Sequence, residues 1–166
     1  MKNTDKFLVG IVVGVVVLVA TAFAVALLRP KPTYQLEDTP KGVAHNYLLA
    51  LQQEDYKRAY GYLSPTIEGY PASAEAFEQD VRDYSQNLRL GDTSTMLEVV
   101  SARLSGEWAA VTVRETSFYQ GGLFDSSQNV NTFEMQLRRD PQSGAWRIIK
   151  SGSYWASCWN DKAVCR

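Results

Sequence analysis

The chain has one histidine, two cysteines and no excess of basic charge, and each shortage removes a class of function. Metal centres need three or four ligands, and His45 is the only imidazole in 166 residues, more than a hundred positions from either cysteine. Seventeen lysines and arginines meet eighteen acidic residues. From Pro30 onward the balance is fourteen to seventeen with the signs interspersed, which is a poor footprint for nucleic acid and for a polybasic grip on a lipid surface. There is no G-x-S-x-G elbow, no H-E-x-x-H and no Walker-type phosphate loop. The sequence therefore calls for no metal, no cofactor and no evident catalysis.

What is present is concentrated at the start. Phe7 to Leu28 carries no charge and one hydroxyl, Thr21. At about 1.5 Å per residue such a helix crosses the hydrocarbon of a bilayer, and a lone span has no other way to satisfy its backbone. Residues 1–6 are expected as a cytoplasmic tail and 7–28 as a transmembrane helix. Alanine pairs such as Ala22-Phe-Ala24 resemble a signal-peptidase exit, so cleavage is the alternative, but the run is longer than a signal core. Lys2 and Lys6 on one side balance Arg29 and Lys31 on the other. The shortness of the tail and the two cysteines favour an outward-facing domain: cell membrane, single-pass, C-terminal part extracytoplasmic. Gly10 and Gly14 form G-x-x-x-G, a spacing that permits close helix pairing, although glycine is common in membrane helices.

Cys158 and Cys165 lie seven positions apart near the C-terminus. In an oxidising space a disulfide is the expected use of two such cysteines, and it would pin a tail that otherwise frays.

Three prolines fall between Pro30 and Pro40, and residues 29–39 read as a stiff spacer. The domain follows over 40–166. Thr39-Pro40 opens a helix, with Val43, Ala44, Tyr47, Leu48 and Leu51 on one face. A second helix is expected over Glu54–Leu63, ended by Ser64-Pro65. Ser73 caps a third, with Ala76, Phe77, Val81 and Tyr84 as its apolar stripe, and Gly91 closes the helical half. From Thr95 the period becomes two. Strands are expected over Met96–Leu104, Trp108–Tyr119, Asn131–Arg139 and Trp146–Tyr154, with turns at Ser105-Gly106 and Asp140–Gly144. The class is α+β: three helices on one face of an antiparallel meander.

Within this pattern, Tyr47-Leu-Leu-Ala-Leu-Gln-Gln-Glu-Asp-Tyr-Lys-Arg-Ala-Tyr-Gly-Tyr-Leu-Ser-Pro65 resembles the opening of NTF2-like domains, and Arg139-Asp-Pro-Gln-Ser-Gly-Ala-Trp-Arg-Ile148 resembles their final hairpin. The resemblance covers about 115 residues by element order and implies a cone, in which a bent sheet wraps a helix and leaves a cavity. Some relatives, such as ketosteroid isomerase, are enzymes. This chain departs from them in showing no acid–base set, and a fold does not fix a function.

Glu115 is the candidate of most interest. It follows Ala109, Val111 and Val113 by alternation, which sets it on the inner face of its strand as a ligand contact or proton acceptor, unless the strand has already passed the edge of the core. Trp108, Tyr119 and Phe124, with Phe118 nearby, are candidate pocket-lining aromatics or ordinary core. His45 reads as a boundary residue beside the first helix's stripe. Gln120–Asn129, with its Gly-Gly pair, reads as a long hairpin loop of the kind that forms lids or partner contacts. The expected function is a membrane-anchored binding or interaction module for a small apolar ligand or an envelope protein, with a homodimer as one form. The alternatives are a lyase or isomerase using Glu115 with Tyr119, and a purely structural envelope subunit.

Overall fold

A computed structural model describes residues 2–28, 32–83, 94–120 and 126–161. The chain forms two compact units, Met1–Pro32 and Thr33–Arg166.

The first unit is one helix, α1 (Lys2–Leu27). It begins earlier than the apolar run, in the charged tail. Its stretch Lys6–Val25 is long and apolar enough to cross a membrane. The single hydroxyl of the run does not break the helix, because Thr21 donates to the carbonyl of Val17 one turn earlier.

The second unit begins inside the segment expected as a spacer. Asn46 is fully buried on α2 (Pro40–Gln52) and exchanges two hydrogen bonds with Gln35: its Oδ1 accepts from the Gln35 amide at 2.7 Å and its Nδ2 donates to the Gln35 carbonyl at 2.8 Å. His45 Nε2 lies 3.1 Å from the Thr33 carbonyl. The second half of the spacer is thus laid along the helix. This explains why α2 is buried almost all round, Leu49 and Ala50 as well as the expected stripe. Close approach is possible because residue 42 is glycine. A Cβ there would lie 1.9 Å from the Leu36 carbonyl oxygen.

The second expected helix is shorter than its pattern. Glu54 takes a left-handed conformation (φ 57°) that no helix residue can adopt, so α3 (Tyr56–Gly61) starts only after Asp55, whose carboxylate accepts from the Arg58 amide. Tyr62 to Ser64 then run beside the last strand. The Ile148 amide donates to the Tyr62 carbonyl at 2.9 Å and the Ser64 amide to the Ile148 carbonyl at 2.8 Å. Ser73 caps α4 (Ala74–Asp83) through the Ala76 amide, and Phe77 and Val81 are its buried residues. Tyr84 and Gly91 lie outside the described residues.

The strands β1 (Thr95–Ser105), β2 (Trp108–Gln120), β3 (Ser126–Arg139) and β4 (Trp146–Ser151) form a four-stranded antiparallel meander in that order. The β2–β3 ladder runs on to Gln120 opposite Ser126, so Ser126 to Asn129 belong to a strand and not to the expected long loop. The Gly-Gly pair and Phe124 lie outside the described residues. Register shifts between Val99 and Ser101 and between Gln136 and Leu137 mark two bulges, and bulges bend strands. β4 stops before Tyr154 because that residue too is left-handed (φ 57°).

The core lies between α2 and the sheet face carrying Ala109, Val111, Val113, Phe133, Met135, Leu137 and Ile148, all buried. The C-terminal segment closes one end. The Trp159 ring stacks on Phe77 at 5.0 Å and its indole N–H donates to Asp80 at 2.8 Å. Burying aromatics of this size contributes about 2–3 kcal/mol each. Packing and the hydrogen bond to Asp80 thus hold the tail as far as Trp159. Cys158 is buried there, and its pairing with Cys165 falls outside the described residues.

Candidate functional site

β2 alternates strictly. Ala109, Val111, Val113, Glu115 and Ser117 all point to the core side and all are buried, while Arg114 faces away and pairs with Glu98 at 3.0 Å. Two apolar positions before it and the ladders on both sides thus carry a carboxylate into the interior. Glu115 is 2% exposed, opposite Leu97 on β1 and Asn131 on β3.

The group that meets it comes from the other end of the domain. After β4 the Ser151 hydroxyl donates to the Ser153 carbonyl and turns the chain. Tyr154 then adopts its left-handed backbone, a conformation costing roughly 1–2 kcal/mol in a residue with a Cβ. Two contacts hold it there. The Tyr47 phenol donates to the Tyr154 carbonyl at 2.8 Å, and the Tyr154 ring lies 5.7 Å from that of Phe133. The result aims the Tyr154 phenol at Glu115, where it donates to Oε1 at 3.2 Å. Burial pushes the Tyr47 phenol well above its ordinary range, so it stays a donor. It serves the backbone of Tyr154, not its phenol, and so braces the segment that carries Tyr154.

One step along the strand, Ser117 and Thr95 share a hydroxyl contact at 3.3 Å across the β1–β2 ladder. A carboxylate, a phenol and two hydroxyls thus lie together on an apolar face. Chemically, this set offers hydrogen-bond acceptors and donors within an apolar surround.

The other expected site residues are not gathered here. Trp108 lies on the opposite face of β2, 49% exposed, with the Arg138 guanidinium 5.1 Å from its ring. Tyr119 has the same parity as Glu115 but stands four residues along the strand, about 13 Å away, and is half exposed. Phe118 is on the outer face with Trp108. Among the described residues no group of histidine, cysteine, aspartate or glutamate could hold a metal ion. Nothing in the sequence marks Tyr154 as a site residue, because the strand expected over Trp146–Tyr154 runs through it, whereas β4 ends at Ser151. Only the Gly152-Ser153 pair before it hinted at a turn.

No protein-family model matches this chain, and no curated protein matches it. Solved structures do. A SEC-C motif containing protein from Rhodopseudomonas palustris is similar over 72% of this chain and 81% of its own, at 13% identity and a TM-score of 0.48. An NTF2-like protein with a cystatin-like fold from Novosphingobium aromaticivorans covers 72% and 84%, at 13% identity and a TM-score of 0.45. A protein of unknown function with a cystatin-like fold from Nostoc punctiforme covers 66% and 82%, at 14% and 0.44. NTF2-like and cystatin-like proteins thus stand among the structural neighbours of a chain whose sequence resembles the former. What the domain does is argued below from its own residues.

Proposed function

We propose that this protein is a single-pass, membrane-tethered module that binds a small, mainly apolar ligand on the inner face of its sheet, with Glu115 and Tyr154 recognising a hydrogen-bond donor on that ligand. The observation that carries the reading is the buried Glu115 carboxylate met by the Tyr154 phenol at 3.2 Å. A domain built only as a spacer would do as well with a leucine at that position, because burying a carboxylate is costly and hydrophobic replacements of buried polar groups are often neutral or stabilising. Polar groups set in an apolar face are the usual make-up of a ligand site.

The tether rests on α1, whose length and composition suit a bilayer. The domain is outside the cytoplasm in this reading, and Cys158 and Cys165 form a disulfide there. Intact mass with and without reduction tests that bond.

A second reading, a lyase or isomerase with Glu115 as the base, draws on the same burial. Tyr154 replaces Tyr119 as its phenol partner.

The test is native mass spectrometry of the full-length protein, extracted from its own membrane in mild detergent, beside Glu115→Gln. A small molecule that leaves on denaturation, and is missing from the variant, supports the binding reading. Wild-type protein with no added mass overturns it. Turnover of the recovered molecule, lost in Glu115→Gln, favours the enzyme.

A further inference from the structure

The outer face of β2 begins Trp108, Ala110, Thr112, so an indole is followed by a single methyl group. The ladders set Arg103 of β1 and Gln136 of β3 on either side of Ala110, and Ser105 beside Trp108. Glu134 stands one outward position further along β3, opposite Thr112, and accepts from the Arg103 guanidinium at 3.0 Å. This ion pair reaches from the first strand to the third, across β2. Because Ala110 fills so little space, a depression of about 240 Å³ remains, bounded by Trp108, Ala110, Arg103, Ser105, Glu134 and Gln136. Alternation puts all six on one face of the sheet, opposite to that of Glu115.

The charges of the lining decide what it suits. It holds one cation and one anion, and the two are paired. An ionic ligand therefore meets no net charge. The depression is also smaller than the roughly 300–1,000 Å³ of sites for drug-sized molecules. Its walls stay in water: the Arg103 side chain is 77% exposed and Trp108 49%. A wholly apolar guest would keep much of its surface wet there. What the walls offer is an indole surface beside a guanidinium fork, a carboxylate, an amide and a hydroxyl, which are donors and acceptors side by side. The guest that uses both is an uncharged ring with a C–H face and a rim of hydroxyls.

We infer that this depression binds one ring of a neutral saccharide. The sugar's C–H face lies on the Trp108 indole, and Arg103, Glu134 and Gln136 bond its hydroxyls. The site is separate from Glu115, on the other face of the sheet, and stands or falls independently of it.

Trp108 is also the reporter. The other three tryptophans, Trp146, Trp155 and Trp159, are at most 7% exposed, so acrylamide quenches chiefly the fluorescence of Trp108. The full-length protein, in a polyoxyethylene detergent without sugar headgroups, is titrated with cellotriose, chitotriose and maltotriose. Saturable protection from the quencher is expected with at least one of them. Ala110→Val suits a strand and fills the depression. It should weaken that protection at least about tenfold while leaving Trp108 as quenchable as before when no sugar is present. Gln136→Ala removes one polar contact from an exposed position and should also weaken it, which serves if Ala110→Val does not fold. Phe118→Ala deletes another exposed aromatic of the same face and should bind as wild type does. Co-sedimentation with insoluble cellulose or chitin separates the sources: sedimentation together with protection points to a polysaccharide, and protection alone to a short soluble glycan. Wild-type protein that none of these sugars protects overturns the inference. So does protection undiminished in both Ala110→Val and Gln136→Ala, or lost equally in Phe118→Ala.

Discussion

The phenol of Tyr154 donates to the carboxylate of Glu115 at 3.2 Å, joining the segment after the last strand to the middle of the second. Tyr154→Phe keeps the ring against Phe133 and removes only the donor. The expected cost is about 1–2 kcal/mol, read as a lower midpoint in chemical denaturation with an unchanged slope. Glu115→Ala leaves the phenol without this acceptor and is expected to cost at least as much. A Tyr154→Phe variant as stable as wild type would mean that the pair is not formed in solution.

The docking of Thr33–Leu36 on α2 is expected to be part of the fold. Asn46→Ala removes two hydrogen bonds from a fully buried position and should cost about 2–4 kcal/mol. Gly42→Ala places a methyl group where the Leu36 carbonyl now lies and should release the segment altogether. Hydrogen exchange on the Gln35 and Leu36 amides checks both, with faster exchange expected.

Glu54 is exposed and left-handed at the end of α2, where glycine avoids the Cβ penalty. Glu54→Gly should stabilise the domain by up to about 1 kcal/mol in thermal or chemical unfolding. Few substitutions to glycine are stabilising, which makes the outcome diagnostic of the backbone conformation.

Acid should weaken the junction between the linker and α3. Glu37 is held below the ordinary carboxylate range, first by the Tyr62 phenol, which donates at 2.7 Å, and then by Arg58 at 2.9 Å. A lowered carboxyl contributes stability above its unfolded pKa of about 4.3 and loses it as pH falls through the lower folded value. Glu37→Gln should therefore lower the thermal midpoint at pH 7, and the gap from wild type should shrink towards pH 3. The side chain is half exposed, so the effect is modest and screened by salt.

Where local chemistry decides, the residues announced the structure. The period-two pattern of β2 set Glu115 inward, Thr39-Pro40 opened α2, and Ser73 capped α4. The same alternation also sets Trp108 on the opposite face, and grouping it with Glu115 by nearness in sequence overlooked that. Prolines made 29–39 read as a spacer. The contrary sign was Asn46, a polar residue inside an apolar helix that needed a partner from somewhere. The left-handed conformations of Glu54 and Tyr154 were not legible, because neither is glycine or asparagine and tertiary contacts impose them.

The central claim is a retained helical anchor that presents the domain outside the cytoplasm. Protease treatment of sealed right-side-out membrane vesicles, read with a tag on the N-terminus, tests it most directly. The account predicts that protease added from outside removes the domain and leaves a short, tagged, membrane-embedded fragment. A protein that resists protease until the vesicles are opened, or that washes off at alkaline pH with its N-terminus removed, would contradict it.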